Sequence, residues 1–444
     1  MDVFDRTILQ PIARAAMLAA VGLLAGCGGG SDGTSDTAAA QRAQAASTLA
    51  AADCGSAGCA PKRLSIQGTK LQDPQGREVR LRGVNIAVLD EDQGATIAGQ
   101  FNMNTVRLRI TYSKDTRDDT PSDFRESYLS QIDSWVAAAR ANRLWIVLEM
   151  RGSDAFTNHP DFYDLNKTGA CEPPVEFERC PNFGYYRKAW RFLAERYRGT
   201  DYIAGYGLLA EPSADKTGVA DPVSTLVGFQ TALMDEISQV DQRTPFIVGP
   251  NYNYDTMEYR LDSYFIPAYR GRLIYAVNFL MPKEWIREGT WTLPCTAAHA
   301  STAGPVVAAC KPTYPFPDPA DGYGSLLIGA DSSAQPERVF NQQRVKPGNY
   351  QKTLSKGFIP WYLQWALEFR KTHQVPLYVD QFGASTEAGG QLAYEGDLLD
   401  FFEQEKLNWT RWSYNAGDTT RMLLPPNAEV IDFYTRQAPR WNQP

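Results

Sequence analysis

Short apolar runs alternate with longer stretches of helical period along the whole chain beyond Arg80. The strand-like runs are Leu81–Ala87, Thr105–Ile110, Leu144–Met150, Ile203–Ala210, Pro245–Gly249, Leu273–Leu280, Val375–Gln381 and Leu407–Tyr414. Between them, Leu129, Ile132, Val136 and Ala139 fall on one helical face, as do Tyr186, Trp190, Leu193 and Tyr197. Further helical patterns cover Val223–Val240, Tyr350–Lys371 and Gln391–Glu405. Eight uninterrupted β/α alternations predict parallel strands and, most economically, one (β/α)8 TIM barrel of the α/β class. The alternative, an open doubly wound sheet, lacks the Gly-rich phosphate turn expected after its first strand. Ahead of the first run, Leu64–Ile66 and Glu78–Leu81 flank the turn signal Asp73-Pro74-Gln75-Gly76, which predicts a β-hairpin closing the bottom of the barrel.

In such barrels the chemistry sits at the C-terminal strand ends. Two of these ends carry the functional argument. Gly205-Tyr206-Gly207-Leu208-Leu209-Ala210-Glu211-Pro212 places a carboxylate at the end of a buried strand. Pro376-Leu377-Tyr378-Val379-Asp380-Gln381-Phe382-Gly383 looks like its companion, with an amide where a second carboxylate would be expected. Enzymes that cleave sugar linkages normally need two carboxyl groups, one to donate a proton and one to attack or to activate water.

The strand ends in order resemble glycoside hydrolase family 5, the cellulase-type clan of retaining β-glycosidases. Leu81-Arg82-Gly83-Val84-Asn85 is similar to that family's first strand, and Asn104-Thr105-Val106-Arg107 to its second, whose Arg lies beneath the nucleophile. Leu208-Leu209-Ala210-Glu211-Pro212 matches the strand that ends in the acid/base Glu. Val379-Asp380-Gln381-Phe382-Gly383 falls at the nucleophile position, and Trp409 to Tyr414 resembles the Trp platform beneath the sugar. The match runs from about Leu64 to Tyr414.

The resemblance implies Glu211 as acid/base, Gln381 at the nucleophile position without its carboxylate, and Arg107, Asn85 and Trp412 around the sugar. It also implies a β-glycan ligand and no cofactor. Departures accompany Gln381: Ala210 replaces the usual Asn, Glu149 and Arg151 stand at the third strand's Asp and His positions, and Asn278 and Leu280 at the sixth strand's His and Tyr. Alternation along a strand turns Asp380 toward the helices if Gln381 faces the mouth, unless a bulge intervenes. Glu149 should point inward and pair with Arg107 or Arg151. Glu284 and Glu387, in loops beyond their strands, are further carboxylates that could reach the site.

Two long segments follow the third and sixth strands. Gly152–Asn182 holds His159, Phe162 and Tyr163, and Met281–Gly348 holds Trp285, Trp291, Tyr314, Phe316 and Tyr323. Aromatic rings suit the walls of a glycan cleft, or they pack their own loops. Three functional readings stay open: a retaining hydrolase, a catalytically silent glycan binder, and an inverting hydrolase with a displaced base such as Glu149 or Glu387.

Composition places the protein. Arg6 and Arg14 precede the apolar run Ala15–Gly26, which is too short to span a membrane and suits an export signal. It ends in Leu24-Ala25-Gly26-Cys27, which resembles a bacterial lipobox and implies lipidation of Cys27 and a cell-envelope location; an ordinary signal peptide is the alternative. The stretch 27–60 is rich in Gly, Ser, Thr and Ala and reads as a flexible tether, leaving 61–444 as one barrel domain. Of seven Cys, six remain in three neighbouring pairs: Cys54 and Cys59, Cys171 and Cys180, Cys295 and Cys310. Local disulfides in an oxidising compartment are the simplest account. The spacings match no zinc pattern and the chain has only His159, His299 and His373, so no metal site is expected. The net charge of −7, without clustered Lys and Arg, argues against nucleic acid as a partner.

Overall fold

The computed structural model describes residues 60–113, 116, 124–152, 181–212, 221–281, 283–288, 313–317, 353–415 and 427–441. Three short antiparallel strands come first: β1 (Ser65–Gln67), β2 (Lys70–Gln72) and β3 (Glu78–Val79). The Asp73–Gly76 turn joins β2 to β3, so the expected hairpin is a three-stranded sheet, with an extra reversal at Gly68.

Every one of the eight apolar runs is then a strand. They are β4 (Arg82–Ile86), β5 (Thr105–Tyr112), β6 (Trp145–Gly152), β7 (Ile203–Gly207), β8 (Phe246–Val248), β9 (Leu273–Phe279), β12 (Leu377–Phe382) and β13 (Asn408–Arg411), with a small antiparallel pair, β10 (Phe316–Pro317) and β11 (Thr353–Leu354), between β9 and β12. The eight form a closed parallel barrel in the order β12-β13-β4-β5-β6-β7-β8-β9.

Barrel strands are buried on both faces, which is why they read as continuous apolar runs. Outward positions such as Val84, Val106, Leu108, Ile146 and Leu148 join the large core under the helices. Inward positions build a second core inside the barrel, where Trp145, Val147, Ile247, Ile274, Ala276 and Tyr378 meet Leu64 and Leu71 from the entry sheet. Each large apolar side chain fully buried in this plug contributes about 1.5–3 kcal/mol. Arg63 fastens the entry sheet to the barrel bottom. Its guanidinium donates to the carbonyls of Tyr197 (2.8 Å), Arg198 (2.9 Å) and Thr200 and to Thr244 Oγ1 (2.9 Å).

The outer helices follow the predicted periods. Helix Glu126–Ala141 buries Leu129, Ile132, Val136 and Ala139, and helix Pro181–Tyr197 buries Tyr186, Trp190, Leu193 and Tyr197. Helices Pro222–Ser238, Phe358–His373 and Gln391–Gln404 complete the matches. Filling the interior with side chains leaves the C-terminal rim as the place where polar groups converge.

Candidate active site

Arg107 organises the floor of that rim. It pairs in register with Asn85 on the neighbouring strand, and its guanidinium donates to Asn85 Oδ1 and to Glu149 Oε2. Its Nε lies 2.8 Å from Asp380 Oδ1. Asn85 Nδ2 in turn reaches the carbonyls of Asp380 (3.0 Å) and Thr410 (3.3 Å). Arg107 is 1% exposed, and Glu149 and Asp380 are 0% exposed. One cation thus faces two sealed carboxylates. Burial pushes the Asp380 pKa from the ordinary 3.8 up to about 6; Arg107 holds it back, while the charge of Glu211 adds to the rise.

Glu211 stands above this floor, and its local backbone is built to hold it. Buried hydroxyl and indole donors pin the carbonyls just before it. Tyr186 Oη and Trp190 Nε1 donate to Leu208 O at 2.8 and 2.9 Å, and Tyr254 Oη donates to Leu209 O. Glu211 itself takes a left-handed backbone (φ 51°), a conformation that costs a residue with a Cβ about 1–2 kcal/mol and persists only where the surroundings enforce it. Its Oε1 accepts from Asn278 Nδ2 at 3.0 Å and from Gln381 Nε2 at 2.9 Å. Asn278 also donates to Asn253 O (3.0 Å), and Asn253 N donates to Pro212 O (3.1 Å). Strands β7, β9 and β12 and the loop after β8 therefore meet at one carboxylate.

Several expected positions need correction. Asp380 does not face the helices: it points inward, as does Gln381. The reason is a bulge in β12, where the register slips between Val379 and Gln381 against β9 and between Val379 and Phe382 against β13, so two consecutive side chains enter the barrel. Trp285 is not a sugar-facing wall. It is fully buried and packs edge-on against Tyr394 (5.2 Å between centroids), with Tyr314 alongside. Asn85, Arg107 and Glu149 lie beneath the site as its support, too deeply buried to present a surface to a ligand.

Trp412 is half-buried at the rim, with its backbone N–H donating to Phe382 O (2.9 Å). Arg151 follows Glu149 on the inward face of β6. Glu387 is exposed. Cys27, Cys54, Cys59, Cys171, Cys180, Cys295 and Cys310 lie outside the described residues, as do Trp291, Tyr323, His159, Phe162, Tyr163 and the side chain of Glu284.

Two contributors were not singled out from sequence. Asn253, at φ 60°, was signalled by the Asn-Tyr-Asn-Tyr run after Pro250, since Asn tolerates the left-handed region. Arg109 shares the inward face of β5 with Arg107 by strand period. Its guanidinium lies 5.7 Å from the centroid of the Trp412 ring. Burial lowers its pKa to about 10, reinforced by Arg151 and Arg107 and opposed by Glu211.

A parallel barrel with an acidic group held at its C-terminal rim, above a buried Arg–carboxylate floor, defines a glycosidase-type scaffold. The family pattern of Cellulase (glycosyl hydrolase family 5) matches residues 72–302, more than half of the 444 residues, and the chain belongs to that family. Endoglucanase C of Acetivibrio thermocellus is 23% identical over 353 residues, covering 77% of this chain and 89% of the relative. Endoglucanase C307 of Clostridium sp. (strain F1) aligns with the same identity and coverage. Among solved structures, Thermotoga maritima Cel5A in complex with cellobiose superposes with a TM-score of 0.53 at 12% identity, over 80% of this chain and 96% of that one. A β-glucanase from Saccharophagus degradans in complex with cellotetraose gives 0.52 at 16% identity, over 86% and 94%. These likenesses establish the barrel fold.

Proposed function

We propose that the chain is a glycoside hydrolase of β-linked glycans in which Glu211 is the acid/base residue. The observation that carries this reading is the Glu211 carboxylate, clamped just beyond the C-terminal end of β7 by Asn278 and Gln381. The endoglucanase relatives and the glucan-bound neighbours support the substrate class. Protonated Glu211 would deliver its proton to the glycosidic oxygen as the bond to the anomeric carbon breaks. A carboxylate at position 381 would attack that carbon directly, whereas the Gln381 amide can only orient a water, which would have to lose its proton to solvent as it adds to that carbon. Turnover is therefore expected to be slow.

A second reading, a catalytically silent glycan binder of the cell envelope, is favoured by the same amide, because Gln381 and Glu211 satisfy each other without substrate. One experiment separates the two: incubation of the protein with β-glucan, mannan and xylan oligosaccharides, reading new reducing ends. Hydrolysis that falls by at least ~10²-fold in Glu211→Gln supports the enzyme. Binding without turnover in wild type, with turnover appearing in Gln381→Glu, would establish the binder and overturn the enzyme.

We propose further that the protein is exported and lipid-anchored through Cys27, with local disulfides among the remaining six cysteines. The Arg-flanked apolar run and Leu24-Ala25-Gly26-Cys27 support this placement.

A further inference from the structure

Arg109 is not accounted for by hydrolysis. It projects from β5 two residues beyond Arg107 and makes no hydrogen bond or ion pair with another described residue. It lies over the Trp412 ring, and with Ile86, Ala87, Trp412 and Ser413 it surrounds a small depression in the rim, about 10 Å³ in volume, that is floored by the buried Asn85. Arg151, on the adjacent strand β6, adds a second positive charge, in a chain whose formal net charge is −7. Glu211 offsets part of this potential through space without pairing with Arg109. A largely enclosed guanidinium without a contacting carboxylate is unfavourable, and the downward push of its pKa to about 10 reports the same cost. An anionic ligand would relieve it.

We propose that Arg109 and the Trp412 ring together select a carboxylate-bearing sugar, so that the β-glycan bound at this rim contains uronic acid. This rests on the glycan-directed reading above and names its substrate class. The apolar face of a pyranose suits the indole ring, while a guanidinium fork matches a planar carboxylate with two parallel hydrogen bonds. One side-chain pair thus reads both parts of a uronate. A neutral hexose offers only hydroxyls and leaves the cation without a counter-charge.

The test is calorimetric binding of β-1,4-linked glucan and mannan hexasaccharides against the glucuronan and mannuronan hexasaccharides that differ from them by the C6 carboxylate. Wild type should bind at least one uronate chain roughly tenfold or more tightly than its neutral twin, the worth of one charge-assisted hydrogen bond. That preference should shrink as salt is raised. Arg109→Gln should abolish it and Arg109→Lys should keep part of it, with circular dichroism confirming that both variants fold. Neutral chains bound equally or more tightly would overturn the inference and leave the glycan-directed reading standing. No binding of any of the four would overturn both. A preference that survives in Arg109→Gln would overturn the role of Arg109.

Discussion

Asp380 carries its titration into stability because it is sealed beneath the site. Its folded pKa of about 6 lies above the ordinary 3.8, so the folded protein holds this proton more tightly than the unfolded chain does. The stabilisation is complete below about pH 4, is lost as pH rises toward 6 and is constant above that. Asp380→Asn removes the linkage. The difference in unfolding free energy between Asp380→Asn and wild type should therefore move in favour of the variant between pH 4 and pH 7, by up to about 3 kcal/mol. Urea unfolding at four pH values measures it, and a pH-independent difference would rule out a protonated Asp380. Sequence marked this residue as a carboxylate beside Gln381 and turned it toward the helices unless a bulge intervened; alternation alone could not tell that β12 has that bulge.

At the scale of elements, the β6–β7 pairing explains why glycine stands at position 207. Gly207 lies opposite Glu149 in register, and a Cβ there would approach Glu149 Cγ to 2.8 Å and Cβ to 2.9 Å. Glu149 has no room to yield, because its carboxylate is held by Arg107. Gly207→Ala should destabilise the barrel by about 1–3 kcal/mol through overpacking and weaken glycan binding by disturbing the floor. Gly184 is the control. It sits within helix Pro181–Tyr197 with open space around its Cα, so Gly184→Ala should stabilise by about 0.5–1 kcal/mol. Denaturation midpoints of opposite sign for the two variants would bear this out; equal effects would refute the packing argument.

At the scale of the whole molecule, the proposed anchor makes a separate prediction. Cys27→Ser should move the protein from the membrane fraction to the soluble fraction of the producing cell while leaving glycan binding unchanged; membrane retention in that variant would dismiss lipidation. The barrel itself was legible in the chain. Strands buried on both faces must be continuously apolar, and helices packed on one side must repeat their apolar positions, so local composition alone determined the eight β/α units and their order. Glu211 was legible for the same reason, standing at the end of such a strand before a proline. What lay beyond sequence was how neighbouring strands mesh. Only tertiary structure decided that β12 bulges, that Asp380 joins Gln381 inside, that Trp285 packs in the core, and that Arg109 reaches the rim beside Trp412 with no carboxylate partner among the described residues. Each depends on register and packing between segments far apart in the chain, where the same side chain can serve as core, support or binding surface according to what it meets.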